Sequence, residues 1–299
     1  MMVWGTIIAA YLFLAGLSAG AFLTSSYVAR KYPEATIIRK VGRFISPVLM
    51  GVGLLLLIVD AEAGLKDPLR FIYLFTNFSS VMTIGTYFIS FFMMAAAYIA
   101  LMEFLKKDVN KIVEYIGIFF AGAVAIYTGF LIGVVQTVPL WNTAILPILF
   151  VVSGLSTGIA ATMLVSAFID KKMVHHVISV KKIHLSLLVA EVFLIFTMFL
   201  ITSSTNVAAA ESISMIVSGQ YSMLFWVGLI GVGLVLPIVI EALELLSKKK
   251  FEHDPVGLQV AASGSHGIAA TLITESAVLA GGFILRMLVL LAAVPISFF

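Results

Sequence analysis

The sequence contains no cysteine. That excludes disulfides, cysteine-ligated iron–sulfur clusters and covalently attached haem. Any redox group must be held non-covalently or belong to a partner. Charge is scarce as well: 11% of the residues are Asp, Glu, Lys or Arg, against about 25% in a typical soluble domain. Long polar segments are missing too, which leaves very little soluble mass. What fills the 299 residues is hydrophobic, at 62% of the chain, with a mean hydropathy of +1.15. This is the composition of a polytopic membrane protein. The net charge of +3 is no nucleic-acid footprint, because the basic residues sit in short connections between apolar runs.

A membrane-spanning helix needs roughly 20 apolar residues. The hydropathy pattern predicts eight such spans, at about 4–29, 41–62, 77–104, 112–136, 143–169, 183–204, 222–246 and 268–293. Short alternating segments, the mark of transmembrane strands, are absent, so the expected class is an all-α integral membrane protein. The first run has no basic segment before it and is longer than the apolar core of a signal peptide, so it reads as a retained span.

Basic residues fall on one side. The connections after spans 1, 3, 5 and 7 hold fifteen of the eighteen Lys and Arg residues, among them Arg39, Arg43, Lys106, Lys107 and Lys111. The others are Lys66, Arg70 and Arg286. The positive-inside rule then places both termini outside the cytoplasm, in a multi-pass protein of the cytoplasmic membrane. The short, weakly charged outer surfaces, including the segment around Trp141 and Asn142, form the expected docking platform for a partner.

The segment GLSAG at 16–20 returns as GLSTG at 154–158, an offset of 138 that also carries span 2 onto span 6 and span 3 onto span 7. Spans 4 and 8 share a Gly-Phe-aliphatic pattern at a larger offset. Four spans per unit is an even number, so the expected units are parallel repeats, 1–142 and 143–299, forming two four-helix bundles. Small residues four apart are also common wherever membrane helices pack, so the motif has a purely structural reading as well.

Several stretches resemble the membrane subunit of polysulfide reductase and its relatives, the NrfD-like family. They are YLFLAGLSAGAFL from Tyr11, DAEAGLKDPLRFIYLFTNFSSVMTIGTY from Asp60, PLWNTAILPILFVVSGLSTG from Pro139 and LAGGFILRMLV from Leu279. The resemblance covers nearly the whole chain through the order and spacing of these stretches. It implies a haem-free, quinone-reactive membrane anchor of a respiratory oxidoreductase complex. Such an anchor exchanges electrons between the quinone pool, here menaquinol, and an extracytoplasmic ferredoxin-like iron–sulfur subunit. That subunit serves a catalytic subunit, often a molybdopterin enzyme. Some relatives hold the quinone with a histidine and an asparagine on the outer half of helix 1. This sequence has Tyr11 and Ile8 in that region, so those contacts do not carry over. A transporter or channel with its path between two parallel repeats is the alternative.

A quinol needs hydrogen-bond partners for two ring oxygens and acceptors for two protons. The outer half of the first bundle offers Tyr11, Asp60, Asn77, Ser80, Tyr127 and Gln136. Asp60 is the expected proton acceptor, and the other five are expected quinone contacts. Each tyrosine also has a reading as an interfacial or core residue, and Asp60 as a structural partner of Lys66 or Arg70. In the second bundle, Glu191 and Glu275 each lie about 12 Å from the cytoplasmic end. Carboxyl groups at that depth suggest a proton path, or neutral hydrogen-bonded ties between helices. His184 and His266 read as histidines near the membrane surface rather than haem ligands, and His175, His176 and His253 as loop residues.

Overall fold

The computed structural model describes residues 5–60, 72–170, 177–251 and 266–296. Its helices are α1 (Thr6–Lys31), α2 (Thr36–Asp60), α3 (Tyr73–Thr76), α4 (Val81–Phe104), α5 (Lys111–Gly133), α6 (Ile145–Ile169), α7 (Ile178–Ser203), α8 (Val207–Val217), α9 (Leu236–Phe251) and α10 (His266–Leu291). A π-helical stretch, Leu224–Val235, runs directly into α9 and completes the seventh span. Eight helices are long and apolar enough to cross a membrane, and no strand occurs among the described residues. The all-α expectation holds. Lys66, Arg70, His175, His176 and His253 lie outside the described residues, as does the side chain of His266.

Two spans begin earlier than hydropathy suggests. Helix α2 starts at Thr36 rather than about 41, and α7 at Ile178 rather than about 183. Hydropathy marks the part of a helix that suits hydrocarbon, whereas Lys and Arg are good helix formers that extend it past the apolar run. At other ends the sequence supplies polar caps. Ser80 Oγ accepts from Met82 N–H at 3.3 Å, Asn110 Oδ1 from Ile112 N–H at 2.9 Å, and Asn206 Oδ1 from Ala209 N–H at 2.8 Å. Pro147 is the third residue of α6, in a first turn whose N–H groups have no helical partner. It starts that helix and does not kink it.

The two glycine motifs pack against each other. A Cβ on Gly20 would overlap the Gly154 carbonyl oxygen and lie 3.0 Å from Gly158 Cα; one on Gly154 would lie 3.2–3.3 Å from the Gly16 backbone. Helices α1 and α6 therefore cross in backbone contact at the centre of the molecule. Around this crossing each half has the same neighbours. Helix α1 packs on α2 and α5, with α4 touching both of these; α6 packs on α7 and α10, with the π-helical stretch touching both.

At the end that carries both termini, the connection after α5 is stitched to the tail. Trp141 is fully buried, and its Nε1–H donates to the Val289 carbonyl at 2.6 Å. Ile296 N–H bonds the Thr137 carbonyl at 2.8 Å, and Val294 N–H bonds Ser212 Oγ of α8 at 3.1 Å. The expectation that Trp141 lies on a docking surface is corrected: its indole faces inward, because the apolar ring and its N–H are both satisfied there. The adjacent Asn142 is exposed.

Candidate functional site

Two constellations of polar groups lie inside the helical core. The first is a tyrosine pair in the first four spans. Tyr11 of α1 is fully buried and Tyr127 of α5 is 6% exposed. Both are seated on glycines. A Cβ on Gly53 of α2 would lie 3.6 Å from the Tyr11 ring, and one on Gly85 of α4 would collide with the Tyr127 ring. Gly85 is what lets the Tyr127 ring stand against α4, whereas a Cβ at Gly53 would make only ordinary contact with Tyr11. Tyr11 is five residues, about 8 Å, from the start of α1, and Tyr127 is about 9 Å from the end of α5. The rings thus share one depth, and Tyr127 is within electrostatic reach of Tyr11.

The Tyr11 hydroxyl is buried and has no hydrogen-bond partner among the described residues. A buried hydroxyl left unpaired costs about 1–3 kcal/mol, so such a group calls for an explanation. A ring oxygen of a ligand would satisfy it.

The other outer residues sit apart from the pair. Asp60 is exposed at the last residue of α2, about 10 Å along that helix from Gly53. Ser80 is half-buried and occupied as the α4 cap. Asn77 and Gln136 are exposed, and Asn77 Oδ1 accepts from Ser79 Oγ–H at 2.7 Å. The structure brings Tyr11 and Tyr127 together and places Asp60, Asn77 and Gln136 at the rim.

The second constellation is a ladder of buried charges in the last four spans. Near the basic end, Lys181 pairs with Glu244. One turn further in, His184 Nδ1 shares a hydrogen bond with Glu241 Oε1 at 2.6 Å, and Glu275 Oε2 lies 3.7 Å from the same nitrogen. His184, Glu241 and Glu275 are each at most 2% exposed. Their ligand atoms fall within 4.8 Å of one another, close enough to share a proton or to hold a divalent cation. Glu191 lies two turns beyond His184 on α7, about 10 Å deeper, and accepts from Ser156 Oγ–H at 3.3 Å. Arg286 then donates from Nη1 to Ser153 Oγ at 3.0 Å and to the Gly282 carbonyl at 2.7 Å. Its guanidinium lies 5.6 Å from the Phe13 ring centre and 5.2 Å from that of Phe150. Arg286 is fully buried, and its Nη2, which has no acceptor among the described residues, points at Gly16 of α1. Gly16 is about 8 Å along α1 from Tyr11.

Reading His184 as a surface histidine is corrected. Helix α7 starts early, so His184 lies about 9 Å inside it and is enclosed by acids from α9 and α10. Sequence reasoning finds Glu191 and Glu275 but misses Glu241, which the same rule about charges within apolar spans flags. In the sequence Lys181 reads as an orientation signal, and nothing there places Arg286 in the ladder.

The chain matches the family model described as "Polysulphide reductase, NrfD" over residues 1–252. It belongs to the NrfD family. The polysulfide reductase C subunit of Wolinella succinogenes is 34% identical over 267 residues, covering 80% of this chain and 83% of that protein. Protein NrfD of Escherichia coli is 26% identical over 97% of this chain and 95% of its own length. The NrfD homolog of Haemophilus influenzae is 28% identical over 80% of this chain and 83% of its own. Eight apolar helices together with NrfD membership make this a multi-pass membrane protein.

Proposed function

We propose that this chain is the quinol-reactive membrane anchor of a multi-subunit respiratory oxidoreductase. It exchanges electrons between the quinone pool, menaquinol in this reading, and an extracytoplasmic ferredoxin-like iron–sulfur subunit. That subunit serves a catalytic, often molybdopterin, partner. The observation that carries the reading is the buried Tyr11 hydroxyl, without a partner among the described residues, beside Tyr127 near the end that bears both termini. Both tyrosines can bond ring oxygens there. Oxidising a quinol releases two electrons and two protons. With no cysteine and so no cysteine-held cluster in the chain, electrons leave efficiently only toward a partner docked close to the ring.

The protons need acceptors. Asp60 at the rim offers an outward exit. The ladder from Arg286 and Glu191 to Glu275, His184 and Lys181 offers a second route toward the basic end, which the positive-inside rule makes cytoplasmic. Between Glu191 and His184 the route needs bridging water, since about 10 Å of helix separates them. The matching neighbours of the two halves support a duplicated four-helix unit, 1–142 and 143–299. The backbone contact of α1 with α6 counts against the transporter reading, because it leaves no lumen between the halves where they cross.

The test is co-purification. A cysteine-rich iron–sulfur protein should copurify with the tagged chain, and the complex should reduce that protein with a menaquinol analogue. A chain that purifies alone from its native membrane and shows no quinol-dependent reduction in any fraction contradicts the proposal.

A further inference from the structure

At the opposite end from the tyrosine pair lies a cavity of about 580 Å³, formed by the ends of α1 and α4 and the starts of α2 and α5. Seven basic side chains and three acidic ones line it. Two of the acids are already occupied. Glu103 accepts from Arg39 Nη2 at 3.2 Å and from Arg43 Nη1 at 2.6 Å, and Glu114 lies 3.7 Å from Arg43 Nη2. The remaining positive charge is carried by Arg30, which stacks 4.5 Å from the Tyr115 ring centre, and by Lys40, Lys106, Lys107 and Lys111, against the single remaining acid Asp108.

Three further observations point to a ligand. The Arg43 side chain is 8% exposed, and neither its Nε nor that of Arg39 has an acceptor among the described residues. A buried charged donor without an acceptor is costly, and both of these arginines line the cavity. Lys106 is held at φ 54°, in the left-handed region that favours glycine. The chain keeps a lysine where a helix end ordinarily takes glycine, and Lys106 and its neighbour Lys107 both line the cavity. Finally, two apolar side chains adjacent in sequence to the lining residues Glu103 and Lys111 face outward: Phe104 is 73% exposed and Ile112 is 69% exposed. Both lie on the ends of spans, where lipid would surround them.

We propose that this cavity is a binding site for a phosphate group. Arginine forks and lysine ammoniums converge on it, which is the chemistry that recognises phosphate. Its place at the end of four spans beside exposed apolar side chains favours the headgroup of an anionic phospholipid, with acyl chains running along Phe104 and Ile112. Basic pockets between membrane helices are general sites for such headgroups. The inference stands apart from the quinol site, which occupies the other end of the same four helices.

The full chain in neutral detergent is titrated separately with phosphatidylglycerol, phosphatidylcholine and inorganic phosphate. Bound lipid is counted by native mass spectrometry, and thermal stability is followed alongside. Phosphatidylglycerol should be retained in preference to phosphatidylcholine. A Lys40→Gln/Lys106→Gln/Lys107→Gln variant should lose affinity by roughly 5-fold for each lysine removed. These three lysines are exposed, so the variant should fold, and the corresponding triple Arg variant should restore binding. Lys182→Gln, an exposed basic residue at the same end but outside the cavity, should change nothing. If phosphate stabilises the wild type but not the triple Gln variant, while neither lipid is retained, the site is a phosphate site filled from solution. Equal retention of both lipids, unaltered in the triple variant, together with no effect of phosphate, overturns the proposal.

Discussion

Replacing Gly20 by alanine is the most direct probe of how the molecule is held together. A Cβ there would overlap the Gly154 carbonyl oxygen and lie 3.0 Å from both the Gly154 carbonyl carbon and Gly158 Cα. All three are backbone atoms, so no rotamer change relieves the clash, and α1 and α6 must move apart. Overpacking a well-filled site typically costs about 1–3 kcal/mol. The backbone nature of this clash puts Gly20→Ala at the upper end, about 3 kcal/mol. For a chain of this size that corresponds to a fall of about 5 °C in apparent Tm. Gly122→Ala is the control. Nothing lies within 4 Å of a Cβ at Gly122, and alanine is the better helix former by about 1 kcal/mol. Thermal unfolding of both variants in the same detergent decides the matter. If Gly20→Ala melts with Gly122→Ala, the central crossing is not the tight backbone contact described.

Trp141→Phe removes the indole donor to Val289 and leaves that buried carbonyl unpaired, so it should destabilise by about 1–3 kcal/mol, read as a lower Tm with unchanged helical content. Glu191→Gln and Glu275→Gln should lower proton translocation while leaving quinol-to-acceptor electron transfer largely intact; normal proton stoichiometry in both reduces these acids to helix ties. Because the chain has no cysteine, single-cysteine variants need no background changes. A cysteine at Asn142 should react with an impermeant reagent from outside intact cells and one at Lys249 should not, and the reverse result inverts the orientation.

Much of the fold is legible from hydropathy alone, because a span must be both apolar and long. The GLSAG and GLSTG repeats signal close packing, yet nothing in the sequence says that they pack on each other; that depends on the register of α1 against α6. Helix α8 is not legible, since eleven residues are too few to span and its apolar face reads as loop. The site is half legible. Tyr11 and Tyr127 stand out as polar groups at similar outer positions, and they do lie together. Gly85, which makes room for the Tyr127 ring, looks like an ordinary small residue. Asp60 shares a span end with the tyrosines, but the helical rise separates it from them. His184 is misplaced by hydropathy, which puts the start of α7 five residues late. Arg286 stands out as a lone charge, but its neighbours on α1 and α6 emerge only when three distant helices are brought together.

The central claim is that the Tyr11 hydroxyl waits for a quinol oxygen, and Tyr11→Phe tests it most directly. The substitution removes one oxygen that has no partner among the described residues, so the thermal stability of the quinol-free chain should be unchanged or slightly raised. Losing the hydrogen bond to the ring should cost about 1–3 kcal/mol of binding. That raises the apparent KM for quinol by roughly 5- to 100-fold where binding limits it, and Tyr127→Phe should act in the same direction. The measurement is quinol-dependent reduction of the iron–sulfur partner in membranes, with assembly checked by immunoblot. A raised KM with undiminished stability supports the site. Wild-type KM in both variants at normal assembly contradicts it, and would move the quinol toward Arg286.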